Sequence, residues 1–101
     1  MKMIYANIDE MMQPAVLALL KKLDVHDYEI FKRVTGEAPG GQRFMDNSIW
    51  PGYHICLLIP FRDDEKARII LQQFKEMNKT AHHSFEKVAC CVWKIDEYFY
   101  E

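Results

Sequence analysis

Apolar positions change period along this chain, and those changes divide it into elements. Residues 2–8 read as a strand, with Ile4, Tyr5 and Ile8 suited to a pleated, partly buried surface. From Pro14 the period lengthens. Val16, Leu19, Leu20 and Leu23 fall at i, i+3, i+4 and i+7, which is the apolar stripe of a helix. Proline suits the first helical position, because its missing N–H would have no partner there. Lys21 and Lys22 suit the last turn, where cations meet the negative end of the helix dipole. Residues 27–35 return to strand character through Tyr28, Ile30, Phe31 and Val34.

Residues 36–52 carry no period. All four glycines and two of the four prolines lie there, so the spacing predicts a long loop. Loops of this length in a small domain usually serve a function. Strand character resumes over residues 53–61, where Ile55-Cys56-Leu57-Leu58-Ile59 is apolar without alternation. Successive strand side chains point to opposite faces, so both faces of this strand call for cover. Asp63 or Asp64 caps a second helix with the stripe Ala67, Ile70, Leu71, Phe74 and Met77, and Asp64 can pair with Arg68 four residues on. It ends at Asn78-Lys79-Thr80. A polar connection over 80–86 leads to a fourth strand, 87–95, with Val88-Ala89-Cys90-Cys91-Val92-Trp93 again apolar on both faces. The tail Tyr98-Phe99-Tyr100 is a candidate for docking on a neighbouring subunit.

The order strand, helix, strand, strand, helix, strand predicts an α+β, ferredoxin-like β-α-β-β-α-β sandwich. A four-stranded antiparallel sheet would carry two helices on one face. Helices on one side leave the other sheet face bare, yet the third and fourth strands are apolar on both. At about 25 cal/mol per Å², covering even ~400 Å² of that face is worth on the order of 10 kcal/mol before binding costs. The open face is therefore expected to pack on another copy of the chain, as a dimer or trimer.

With 101 residues there is one domain, 1–101, and one core. The formal charge of −2 is spread without a basic block, so nucleic acid is not an expected partner. No apolar run is long enough to enter a membrane as a span, and no signal peptide is expected from Met1-Lys2-Met3-Ile4. Three cysteines, Cys56, Cys90 and Cys91, read as small core residues of a cytoplasmic protein. No nucleophile–base pair or carboxylate pair marks an enzyme.

Several segments together resemble the nitrogen-regulatory PII-like superfamily, which includes the CutA-like proteins. They are Met1-Lys2-Met3-Ile4, Leu19-Leu20-Lys21-Lys22-Leu23-Asp24-Val25, Val34-Thr35-Gly36, Trp50-Pro51-Gly52 and Val92-Trp93-Lys94-Ile95-Asp96-Glu97. The resemblance implies a homotrimer with its sheets facing inward and a small ligand in clefts between subunits. It also implies that the 36–52 loop docks on a transporter or enzyme, so that the chain signals rather than catalyses. The ligand would be an adenine nucleotide or other anion. The ligand-binding candidates are Arg33, Thr35, Gly36, Gly40, Gly41, Arg43, Trp50, Gly52 and Lys94. The stretch Thr80–Lys87, where nucleotide-binding relatives carry a glycine-rich phosphate cradle, has no glycine here.

Two other readings compete. A dimeric α+β-barrel enzyme of the cofactor-free monooxygenase type also pairs such sheets. A CutA-like protein would hold a divalent metal through His82 and His83, although no C-x-x-C or H-x-x-x-H spacing supports it, and solvated histidines are the plainer reading.

Overall fold

The structure, a computed structural model, describes residues 1–37, 43–44 and 52–100. Much of the expected 36–52 loop, including Gly40, Gly41 and Trp50, lies outside the described residues. Strands β1 (Lys2–Asp9), β2 (Glu29–Val34), β5 (His54–Phe61) and β6 (Ala89–Lys94) form one antiparallel sheet in the order β2-β5-β1-β6. Helices α1 (Gln13–Lys22) and α2 (Asp64–Thr80) complete the ferredoxin-like α+β order. Two short strands, β3 (Gly36–Glu37) and β4 (Arg43–Phe44), pair with each other at the base of the stretch read as loop.

The core lies between the helices and one sheet face. Ile4, Ala6 and Ile8 of β1 and Ile55, Leu57 and Ile59 of β5 are fully buried, as are Val16, Leu20, Ile70 and Ala67 of the helices. This is the period-2 and period-3.6 pattern of the sequence meeting in one layer.

Local chemistry sets the boundaries. Asp9 accepts from Met11 N–H at 2.9 Å and starts a short 3₁₀ turn, Glu10–Met12, which hands over to α1 with Pro14 in its first turn. α1 ends in a six-residue cap: Val25 N–H donates to Leu20 O at 2.8 Å and Asp24 N–H to Lys21 O at 3.0 Å. Asp24 stands there at φ 58°, the left-handed conformation usually given to glycine. Asp63 caps α2, accepting from Glu65 N–H at 2.9 Å. The expected Asp64–Arg68 pair is replaced by Glu65–Arg68 one residue closer, while Asp64 lies 3.6 Å from the terminal amine of Met1. Asn78 clamps α2 to the approach of β6, donating to Val88 O at 2.9 Å and accepting from Val88 N–H at 2.7 Å.

The helix-free sheet face is apolar along most of β5 and β6, as expected, and takes its polar groups from β1, β2 and the first residue of β5. Register aligns its side chains in rows across the strands. Trp93, Met3 and Pro60 cross one end, followed by Cys91, Tyr5, Leu58 and Glu29, then Ala89, Asn7, Cys56 and Phe31. Asp9, His54 and Val34 cross the other end. The face thus grades from apolar at the Met3 end to polar at the Asp9 end. The fourth strand, expected to be dry on both sides, is exposed along its whole length in the single chain.

Candidate functional site

The polar end of the sheet is also the root of the 36–52 segment. β2 ends there at Val34, β5 begins at His54 opposite it, and β1 ends at Asp9 beside His54. Glu10 N–H donates to Tyr53 O at 3.2 Å and closes the corner. Gly52 turns into β5 at φ 91°, within the region that glycine alone adopts easily; a Cβ there would lie 4.0 Å from Glu10 Oε1, so conformation rather than space calls for glycine.

Arg33 is the most informative residue. The β2–β5 register shifts between Phe31 and Val34, and Arg33 occupies the irregularity at φ 58°. Bulges of this kind favour glycine, because an L side chain in the left-handed region costs free energy. An arginine in that place turns a guanidinium over the Tyr53 ring, 5.2 Å from its centroid, at the mouth of the loop. Strained non-glycine residues of this sort concentrate at binding sites. A guanidinium is suited to phosphate or carboxylate groups through its forked donors.

Behind Arg33 runs a hydrogen-bonded ladder that sequence reasoning missed. His54 Nδ1 and Asn7 Oδ1 are 2.5 Å apart, Asn7 Nδ2 lies 3.2 Å from Cys56 Sγ, and Tyr5 Oη lies 3.0 Å from the same sulfur. His54 Nε2 is 3.8 Å from Asp9 Oδ2. Burial lowers the His54 pKa, and the Asp9 carboxylate opposes that shift. The Cys56 hydrogen bond raises the Tyr5 pKa, with Asn7 acting against it. These residues are alternate positions on paired strands, but nothing in a single strand's sequence gives the register that joins Asn7 to His54, 47 residues away. The one available signal was polar Asn7 and Asp9 inside a strand otherwise fit for burial.

The structure gathers Arg33, Thr35, Gly36 and Gly52 at this root. The backbone of Arg43 pairs opposite Glu37 in the small β3–β4 ladder that extends from it. Lys94 is not brought to it: Lys94 pairs opposite Lys2, at the far end of β1 from Asp9. His82 and His83 lie exposed on the α2–β6 connection, with the His83 ring stacked on Phe85 at 5.5 Å between centroids. Among the described residues no three His, Cys, Asp or Glu side chains gather as a metal site. Burial pushes the Cys90 thiol up to about 11, with Cys91 adding to the shift, so it is a protonated thiol rather than a ligand or nucleophile at neutral pH. Cys90 and Cys91 are both exposed in the single chain, because β6 is an edge strand, so of the three cysteines expected in the core only Cys56 is buried.

No protein family's sequence profile matches the chain, and no curated protein matches it. Solved structures do. CPII of Thiomonas intermedia K12, a nitrogen regulatory PII-like protein solved bound to ADP, AMP and bicarbonate, superposes with a TM-score of 0.66 at 17% identity, over 90% of this chain and 86% of that one. Its apo form gives 0.65 at 13% identity, over 91% and 85%. A Thermus thermophilus protein provisionally described as PII-like signalling gives 0.64 at 22% identity, over 91% and 83%. These matches extend over about nine-tenths of this chain and more than four-fifths of each neighbour, and the chain has the PII-like fold.

Proposed function

We propose that this chain is a PII-like regulatory protein that binds a small anionic ligand at the root of the 36–52 segment and passes its state to a partner protein through that segment. The observation that carries the reading is Arg33, a cation held in a left-handed backbone conformation at the mouth of the loop. The fold likeness to CPII, solved with ADP, AMP and bicarbonate, supports an adenine nucleotide or a carboxylate-like anion as the ligand class. Three copies with their helix-free faces together would bring the Lys94 end of one chain and the loop root of another into a shared cleft, which reconciles the separation of those two candidates within one chain. A transporter or enzyme in the cytoplasm is the kind of target such a loop would regulate. The chain itself needs no reaction.

A thermal-shift titration with ADP, AMP and bicarbonate tests this. A ligand at ~100 times its Kd stabilises the native state by about 2.7 kcal/mol. For a domain of this size each kcal/mol moves Tm by about 4–8 °C. A rise of at least ~5 °C with one of the three is expected at saturation. Flat melting curves with all three, at millimolar concentration, would remove the nucleotide and bicarbonate reading.

A further inference from the structure

At the end of the sheet far from the loop root, two turns face each other across a hollow of about 220 Å³. One wall is the turn Asp24–Asp27, which leads from α1 to β2. The other runs from Pro60 and Phe61 at the end of β5 into the first turn of α2. Val25 and Phe61 are its buried apolar lining, and charged side chains stand more exposed around them. Contacts hold these charged groups in place while leaving much of their charge unspent. The Arg62 guanidinium carbon lies 5.4 Å from the centroid of the Tyr98 ring, a contact that uses a face of the guanidinium and not its forked N–H donors. Lys66 Nζ donates to Asp24 O at 3.2 Å, tying the two walls together through a neutral carbonyl. Asp24 Oδ1 lies 2.8 Å from His26 Nε2, and Asp63 accepts from Glu65 N–H as the cap of α2. Asp27 makes no hydrogen bond or ion pair among the described residues.

We propose that this hollow binds a free amino acid with an apolar side chain, its carboxylate on Arg62 and Lys66 and its ammonium on Asp27. The site is separate from the loop root and stands whether or not a ligand binds there. Size, charge and lining select this class together. The volume falls below the ~300–1,000 Å³ of drug-sized sites, which leaves room for an amino acid and too little for a nucleotide. Among the described residues the lining holds the carboxylates of Asp24, Asp27 and Asp63, the cations Arg62 and Lys66, and His26. A bare anion meets the acids, and a bare cation meets Arg62 and Lys66. A molecule carrying both charges a few ångströms apart is favoured at both ends. Asp24 is engaged by His26 and Asp63 by the helix cap, so Asp27 is the carboxylate left for an ammonium. The guanidinium fork of Arg62 matches a carboxylate. Val25, Phe61 and Pro60 offer hydrocarbon, which suits an apolar side chain. Tyr98 and the Asp24 carbonyl already restrain Arg62 and Lys66, so less ordering is left for binding to supply. Exposed charge pairs are weak one by one, which sets the affinity in the millimolar range.

Amide NMR of the unaltered chain, titrated with L-leucine and L-phenylalanine to ~10 mM, about ten times a millimolar Kd, tests this. At least one of the two is expected to shift the amides of residues 24–27 and 61–66 saturably. Their analogues without the amine, isocaproate and hydrocinnamate, and without the carboxylate, isopentylamine and phenethylamine, should bind at least ~fivefold more weakly. Arg62→Gln and Asp27→Asn, at exposed positions outside the core, should each weaken the amino acid by a similar factor. Unmoved amides in both turns with both amino acids would overturn the site. Isocaproate or hydrocinnamate binding as tightly as its parent would make this a plain anion site and overturn the assignment to a zwitterion. That comparison uses only the unaltered chain, so it decides even if a variant fails to fold. Unchanged affinity in both folded variants would also overturn the proposal. ADP added to the same sample reads the loop root separately, through the amides of Val34, Gly36, Gly52 and His54, so failure of one site is distinguished from failure of the other.

Discussion

Arg33 holds a conformation that stability alone would assign to glycine, and this makes it a residue whose replacement separates folding from binding. The left-handed region costs an L-residue roughly 1–2 kcal/mol. Arg33→Gly should relieve that cost while losing the Tyr53 contact, which is worth ~0.5–1 kcal/mol at an exposed site. The expected outcome is a Tm equal to or slightly above that of the unaltered chain, with ligand affinity reduced at least tenfold in calorimetric titration. A large loss of stability with unchanged affinity would make Arg33 a structural residue. His54 supplies the pH dependence. Burial holds its pKa below the usual value of 6.5, against the pull of Asp9, with Asn7, Tyr5 and Cys56 completing the polar ladder beside it. The unfolded chain takes up a proton that the folded chain resists. This contribution is therefore complete above about pH 6.5 and is lost as pH falls through the folded-state value. Melting temperatures measured from about pH 7.5 to about pH 5 should fall for the unaltered chain and fall less for His54→Gln. Equal slopes would dissociate His54 from acid stability. Neither residue's environment was legible from the chain. A positive φ leaves no mark when the residue is not glycine, and the ladder depends on a register between β1 and β5 that neither strand specifies alone.

Elements were the most legible scale, because burial imposes a period on the sequence that needs no partner to be seen. The stripe Val16, Leu19, Leu20, Leu23 and the stripe Ala67, Ile70, Leu71, Phe74, Met77 are the inner faces of α1 and α2, and each contains the buried residues of its helix. What closes the elements was less visible. α1 ends on a left-handed aspartate rather than a glycine, so the usual stop signal was missing. Asp24→Gly should keep both cap hydrogen bonds and remove the strain. Its gain, up to ~1 kcal/mol, is offset in part by loss of the exposed Asp24–His26 contact at 2.8 Å. A rise of a few degrees in Tm is expected, and a fall would show that the aspartate side chain, not the backbone, holds the corner. Glu65 takes Arg68 from Asp64 for a geometric reason: residues three and four apart on a helix are both neighbours, and Asp64 sits where the terminal amine of Met1 competes. The β3–β4 ladder within the glycine-rich stretch escaped the pattern because two-residue strands are too short to show a period.

At the scale of the whole molecule, the fold class followed from the sequence of elements, and the structural likeness to PII-like proteins agrees with the resemblance carried by short segments. The open sheet face was read as apolar along the third and fourth strands because Ile55–Ile59 and Val88–Trp93 are apolar runs. The neighbours that make one end polar, Asn7, Asp9 and His54, come from a central strand and from the first residue of β5, where no run exists to be read. The division matters for function. It leaves an apolar row at the Met3 end and a hydrogen-bonded polar cluster at the loop end of one face. Under the proposed function, a ligand at the loop root of one chain would meet the polar end of this face. Native mass spectrometry of the unaltered chain during titration with ADP tests assembly and binding together. The expected spectrum contains three chains, with nucleotide added stepwise up to one per chain; a single-chain species that takes up no ADP at any concentration would contradict it.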